Sequence, residues 1–171
     1  MKQESFRASV AGLSGWGDFG LVVGGATAAL LGLLFVAVSI RVEAIARSNV
    51  LRNRSAETMA LLLTGLLASI LLTVPDQKRW ELGTEFIALA VASAGVAIVL
   101  DRRAGGDTGT GLGRLLDLAN PTSVTCSLLL VTGVVLAAGE RRGIYVLVPT
   151  LFAVLVGCVL NAWLILVRLS D

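Results

Sequence analysis

The sequence predicts an all-α polytopic membrane helix bundle with five transmembrane helices, on three observations. Of its 171 residues 56% are hydrophobic and only 15% charged, whereas a soluble domain carries roughly 25% charged residues. Mean hydropathy is +0.85. Most of the charges fall between long uncharged runs, and those runs have the length of a bilayer crossing, about 20 residues of helix for roughly 30 Å of hydrocarbon. The chain reads as a single transmembrane domain over residues 1–171, with no internal repeat.

The first run, about 20–40, contains no charge from Leu21 to Ile40 and then meets Arg41, Glu43, Arg47, Arg52 and Arg54. The second, about 57–74, follows Ser55 as the expected N-cap, has Glu57 at the positive end of the helix dipole and closes at Pro75. The third, about 82–100, is expected to stop at Asp101, Arg102 and Arg103. The fourth, about 121–138, opens with Asn120 as N-cap and Pro121 in the first turn. The fifth runs over about 145–167. Five crossings put the two termini on opposite sides. Residues 1–20, with Phe6, Val10, Leu13 and Trp16, read as a retained, short amphipathic segment along the interface rather than a cleavable signal. The stretch 104–113, with five glycines, reads as a flexible linker.

Orientation follows the lysines and arginines near helix ends. Lys2, Arg7, Lys78, Arg79, Arg141 and Arg142 share one side; Arg41, Arg47, Arg52, Arg54, Arg102, Arg103, Arg114 and Arg168 share the other. Eight against six, with four on the C-terminal flank of the first helix against two on its N-terminal flank, places the 41–56 connection and the C-terminus in the cytoplasm and the N-terminus outside. Arg41, Arg47, Arg52 and Arg54 then form a cytoplasmic basic anchor at headgroup level, with Glu43 able to pair with Arg47 at i, i+4. Attraction of anionic lipids or of a partner is the rival reading of the cluster. A net charge of +2 gives no field for nucleic acid.

Catalytic chemistry is sparse. There is no histidine, which excludes histidine-ligated metals and haem, histidine-based nucleophile activation and histidine proton relays. Gly12–Gly15 imitates an intramembrane serine motif without its histidine, Asp107–Gly109 an aspartic-protease triplet without a second aspartate, and Gly109–Gly113 lacks the lysine of a phosphate-binding loop. No cofactor or metal is expected, and no enzymatic activity. Cys126 and Cys158 read as small packing residues that differ too much in depth to pair.

Small residues carry more. Gly20, Gly24, Ala28 and Gly32 recur every four residues in the first helix as a helix-packing stripe, and Gly65, Ser69, Thr73 and then Ala153, Gly157, Asn161 repeat the device. The bland use is packing within the bundle; the other is a subunit interface. Two polar residues form a candidate intramembrane polar site. Glu85 lies about 6 Å of helical rise inside its span, where it is either an ion or proton site or a carboxylate held by Lys78, Arg79 or a neighbouring hydroxyl. Asn161 lies well inside the last span and reads as interhelical glue.

The blocks GLLFVAVSI at 32–40, RSAETMALLL at 54–63, SILLTVPDQ at 69–77 and LGTEFIAL at 82–89 resemble a family of small bacterial multi-span membrane proteins of unassigned function. The resemblance covers residues 20–90 and implies a bacterial plasma-membrane protein with Ser39, Glu57, Pro75, Gln77 and Glu85 at patterned positions. Asp76 stands where the pattern has glycine. The reading that results is a non-catalytic integral membrane protein that self-associates as a homo-oligomer or docks a membrane partner in the lipid bilayer. Its alternative is a small oligomeric ion channel or transporter subunit with Glu85, Asn161 and Thr132 facing water.

Overall fold

The computed structural model describes residues 2–75, 77–103 and 121–168. The described residues are helical almost throughout: α1 (Lys2–Ile40), α2 (Val42–Arg47), α3 (Asn49–Thr73), α4 (Arg79–Arg103), α5 (Pro121–Ala137), a 3-10 segment (Arg141–Val146) and α6 (Leu147–Arg168). A chain in hydrocarbon must satisfy its backbone polar groups internally, and helices do so within one segment.

Four helical stretches are long and apolar enough to cross a membrane: Trp16–Ile40, Leu51–Thr73, Trp80–Leu100 and Gly143–Trp163. The chain is therefore a multi-pass membrane protein. The fourth expected crossing, about 121–138, corresponds to a shorter apolar helix, Pro121–Ala137, because Ala138 and Gly139 leave the helix and Gly139 takes a φ of 86°. Five full-length spans are thus reduced to four plus this one.

Several boundaries differ from expectation. α3 starts at Asn49, with Ser48 rather than Ser55 as its N-cap: the Ser48 side chain accepts from Leu51 N at 3.4 Å. Arg52 and Arg54 are therefore helical, as is usual where a helix projects beyond the apolar layer. α4 passes through Asp101 and Arg102 to Arg103 for the same reason. The N-terminal segment is not a separate helix, since α1 runs unbroken for 39 residues, about 58 Å at 1.5 Å per residue. Pro121 does open α5. The 104–113 linker and Asn120 lie outside the described residues.

Neighbouring helices run antiparallel. Gly20 lies against Ser69 and Leu72, and Gly65 against Thr27, so α1 and α3 pair head to tail. Gly83 meets Ala137, and Ser93 meets Cys126, which pairs α4 with α5. Gly157 sits on Pro121 and Leu61, and Gly65 on Val154, which inserts α6 between α5 and α3. α1 is peripheral: 11% of its most apolar stretch is buried, against 44% in α3.

The core has two lobes. Val23, Ala68, Leu72, Leu82, Phe86, Leu129, Leu136 and Leu151 fill the half nearer Trp16 and Tyr145. Leu61, Leu62, Val154 and Cys158 fill the other, covered by Leu30, Leu31 and Leu34 of α1. Trp16 stacks edge-on against Tyr145 at 5.4 Å, and Trp80 is exposed at that same end, while Trp163 is exposed at the opposite one. Aromatic residues at both ends of the apolar band are the pattern of membrane–water interfaces.

Candidate functional site: two polar clusters at opposite ends of the bundle

Buried hydroxyls are frequent, and most are satisfied within their own helix. Thr27, Thr58, Thr64, Ser69, Thr132 and Thr150 each donate to the carbonyl four residues earlier, namely those of Val23, Arg54, Ala60, Gly65, Leu128 and Val146. This back-bonding lets a small polar side chain pack in the interior without a partner across the interface. Thr132, a candidate water-facing residue, is fully buried in this way. Among the described residues, only Ser55 Oγ and Thr125 Oγ1 are buried side-chain polar atoms lacking a partner.

The first cluster surrounds Glu85, half-buried near the start of α4. Its carboxylate accepts from Gln77 Nε2 at 2.7 Å. The partner is thus an amide rather than Lys78 or a hydroxyl, and the Arg79 side chain lies outside those described. Lys78 is instead engaged with Glu81, whose carboxylate accepts from Lys78 N at 3.2 Å and lies 3.9 Å from Lys78 Nζ. Glu81 reaches back to cap the helix that it opens, the half of a capping box supplied by the third helical residue. Pro75 breaks the chain after α3, and the short turn that follows brings Gln77 over the side chain eight residues on.

The second cluster joins α3, α5 and α6 at the other end. Thr58 Oγ1 donates to its own helix and therefore accepts from Asn161 Nδ2, at 3.2 Å. One residue earlier, Glu57 accepts from Thr122 Oγ1 at 2.9 Å. Cys158, one turn before Asn161, is buried with its thiol 3.9 Å from the Thr58 carbonyl. Cys126 is half-buried against Ser93 Oγ at 3.4 Å, and both cysteines are free thiols. Glu57 is not a helix-start carboxylate: with the cap at Ser48 it lies more than two turns inside α3. A cap at Ser55 would confine Glu57 to the first turn, which is why the sequence gives no signal of its reach to Thr122.

The glycine stripe of α1 divides. A Cβ at Gly20 would lie 2.9 Å from the Ser69 carbonyl oxygen and one at Gly24 3.2 Å from Ser69 Cβ, whereas Ala28 is exposed and Gly32 has nothing within 4 Å. Residues four apart drift by about 40° per step around a 3.6-residue helix, so a strict every-fourth pattern walks off the contact line. The buried line is Gly20, Val23, Thr27 and then the half-buried Leu30, Leu31 and Leu34. Gly83 and Gly133, which no stripe contains, make the tightest approach: a Cβ on Gly83 would meet Ala137 N at 2.5 Å and Gly133 O at 2.9 Å.

Arg41, Arg47 and Arg52 are exposed and Arg54 is half-buried around the α1–α2–α3 connection. Among the described residues, three or more histidine, cysteine, aspartate or glutamate side chains nowhere converge as a metal site would require. No family model, curated protein or solved structure matches this chain, and so the likeness carried by residues 20–90 identifies no family.

Proposed function

We propose that this is a non-catalytic integral membrane protein that self-associates or docks a membrane partner through the outer face of its first helix. The observation that carries the reading is the exposed small-residue surface of α1. A methyl group added at Gly25 or at Gly32 would meet no atom within 4 Å, and Ala28 and Ala29 between them are exposed. Inside the bundle the same residue type marks close packing: backbone atoms approach at Gly20, Gly83 and Gly133, and side chains of neighbouring helices seat on Gly65 and Gly157. Small residues are what lets helices associate in lipid, where no hydrophobic force drives them together.

We read α5 as a fifth crossing, since its 17 residues give about 26 Å and fall at the short end of the spanning range. The arginine-rich end then faces the cytoplasm of a bacterial cell, with the N-terminus outside. The second reading, a channel or transporter subunit, rests on the half-buried carboxylate of Glu85. Against it stand the engagement of Glu85 by Gln77 and the back-bonded Thr132.

Molar mass in mild detergent, together with cross-linking in reconstituted bilayers, tests self-association. The expected result is an oligomer that the pair Gly25→Leu and Gly32→Leu converts to monomer without loss of helicity. A monomer in both settings would remove self-association, and an ion current from the purified protein in planar bilayers would move the assignment to the channel.

A further inference from the structure

The connection from α1 to α3 is a built elbow. Arg41 leaves the helical geometry at φ −111°, ψ 22°, α2 follows, and Ser48 is extended at φ −115°, ψ 113° before α3 begins. Ile45 N bonds to Arg41 O at 3.0 Å, Ser48 N to Ile45 O at 3.2 Å and Arg52 N to Ser48 O at 3.0 Å. Ile45 is buried, which pins α2 against the bundle. The backbone that carries the arginines is therefore held in place before any partner arrives.

Residues 41–54 contain four arginines and one acid, Glu43, for a net charge of +3. Arg41, Arg47, Arg52 and Glu43 are exposed and Arg54 is half-buried. Lys78 forms an ion pair with Glu81 at the opposite end, whereas among the described residues Arg41, Arg47 and Arg52 form none. Two large apolar side chains flank Arg41, with Ile40 74% and Val42 56% exposed. Trp163, exposed two residues beyond Asn161, is set by the Asn161–Thr58 bond about two turns inside α3, near the level of Arg54, and so marks the interface just inside the arginines.

This combination of unpaired cations with exposed aliphatic side chains decides the class of partner. A soluble acidic partner or free phosphate would answer the charge and leave Ile40 and Val42 in water. An acidic phospholipid answers both, with phosphate for the guanidiniums and upper acyl carbons for the aliphatic groups. We infer that the Arg41–Arg54 elbow binds acidic phospholipid headgroups in the leaflet at that end, with Arg41, Arg47 and Arg52 contacting phosphate and Ile40 and Val42 seated among the acyl chains.

The test uses the full chain in mild non-ionic detergent, titrated with phosphatidylglycerol or phosphatidylcholine of identical acyl chains, bound lipid being counted by native mass spectrometry. Phosphatidylglycerol should be retained at least about fivefold more readily, since even a single basic residue near an acidic surface is worth roughly that much in affinity. The combined Arg41→Gln, Arg47→Gln and Arg52→Gln variant should lose that preference, the corresponding arginine-to-lysine variant should keep most of it, and Arg141→Gln with Arg142→Gln at the other end should leave it unchanged. Arg47→Gln alone, should the triple variant not fold, must lower the preference severalfold. Equal retention of the two lipids, or equal loss in the opposite-end variant, would overturn the inference. Displacement of phosphatidylglycerol by inorganic phosphate at matched concentration would also overturn it, by making the ligand a free anion.

Discussion

Asn161 of α6 donates its side-chain amide to the Thr58 hydroxyl of α3 at 3.2 Å, across a sequence separation of 103 residues. The bond is possible because Thr58 spends its own proton on the Arg54 carbonyl and presents a lone pair to the neighbouring helix. With Thr122 bonded to Glu57 on the adjacent face, it ties α3 to both α5 and α6 near the arginine-rich end.

Replacing Thr58 by Val or Asn161 by Leu should each lower stability by about 1 kcal/mol, and the double variant should show a coupling of about 0.6 kcal/mol, the average for such bonds in lipid. Unfolding in mixed micelles measures it. Strict additivity of the two losses would mean that the bond contributes nothing.

Gly83→Ala or Gly133→Ala should destabilise by about 1–3 kcal/mol, the usual cost of overpacking, because the added methyl would strike backbone atoms of the facing helix, at Gly133 together with the Ile87 side chain. Gly95→Ala, where nothing lies within 4 Å, should be neutral or slightly stabilising. Equal thermal stability across all three would remove the α4–α5 contact as a constraint.

Glu85→Gln preserves an acceptor for Gln77 and should leave fold and membrane permeability unchanged, whereas Glu85→Ala orphans the Gln77 amide and should cost about 1–3 kcal/mol. A proton or ion flux that responds to Glu85→Gln in reconstituted vesicles would instead support the channel reading.

Ser55→Ala and Thr125→Val should be neutral or stabilising, since each removes a buried hydroxyl that has no partner among the described residues. A clear drop in melting temperature for either would mean that its hydroxyl is bonded to something else.

Cysteines introduced at 47 and 103 should be labelled from one side of the membrane and those at 78 and 141 from the other, in a background lacking Cys126 and Cys158. Labelling of 47 and 103 from the cytoplasm fixes the orientation. Their labelling from the outside would reverse it, and labelling of 78 and 141 from different sides would reject α5 as a crossing.

The apolar runs were legible without any tertiary information because hydrocarbon imposes a local demand: every peptide group must find its partner within the segment, so length and apolarity alone reveal a crossing helix. That is why the spans near 20–40, 82–100 and 145–167 sit inside α1, α4 and the helical stretch ending in α6. Helix ends were less legible, since nothing stops a helix from continuing past the bilayer through Arg52, Arg54 or Asp101; Ser48 rather than Ser55 is the cap for that reason. The Glu85 and Asn161 side chains were recognisable as costly in lipid, but which atoms satisfy them depends on the rotation and depth of one helix against the next. A turn after Pro75 delivers Gln77 to Glu85, and antiparallel packing of α3 on α6 delivers Thr58 to Asn161. The same rotation separates Gly20 and Gly24, which face α3, from Ala28 and Gly32, which face outward. A four-residue repeat fixes composition along a line, while a helix of 3.6 residues per turn carries that line around its axis, and only the neighbouring helix determines where contact ends.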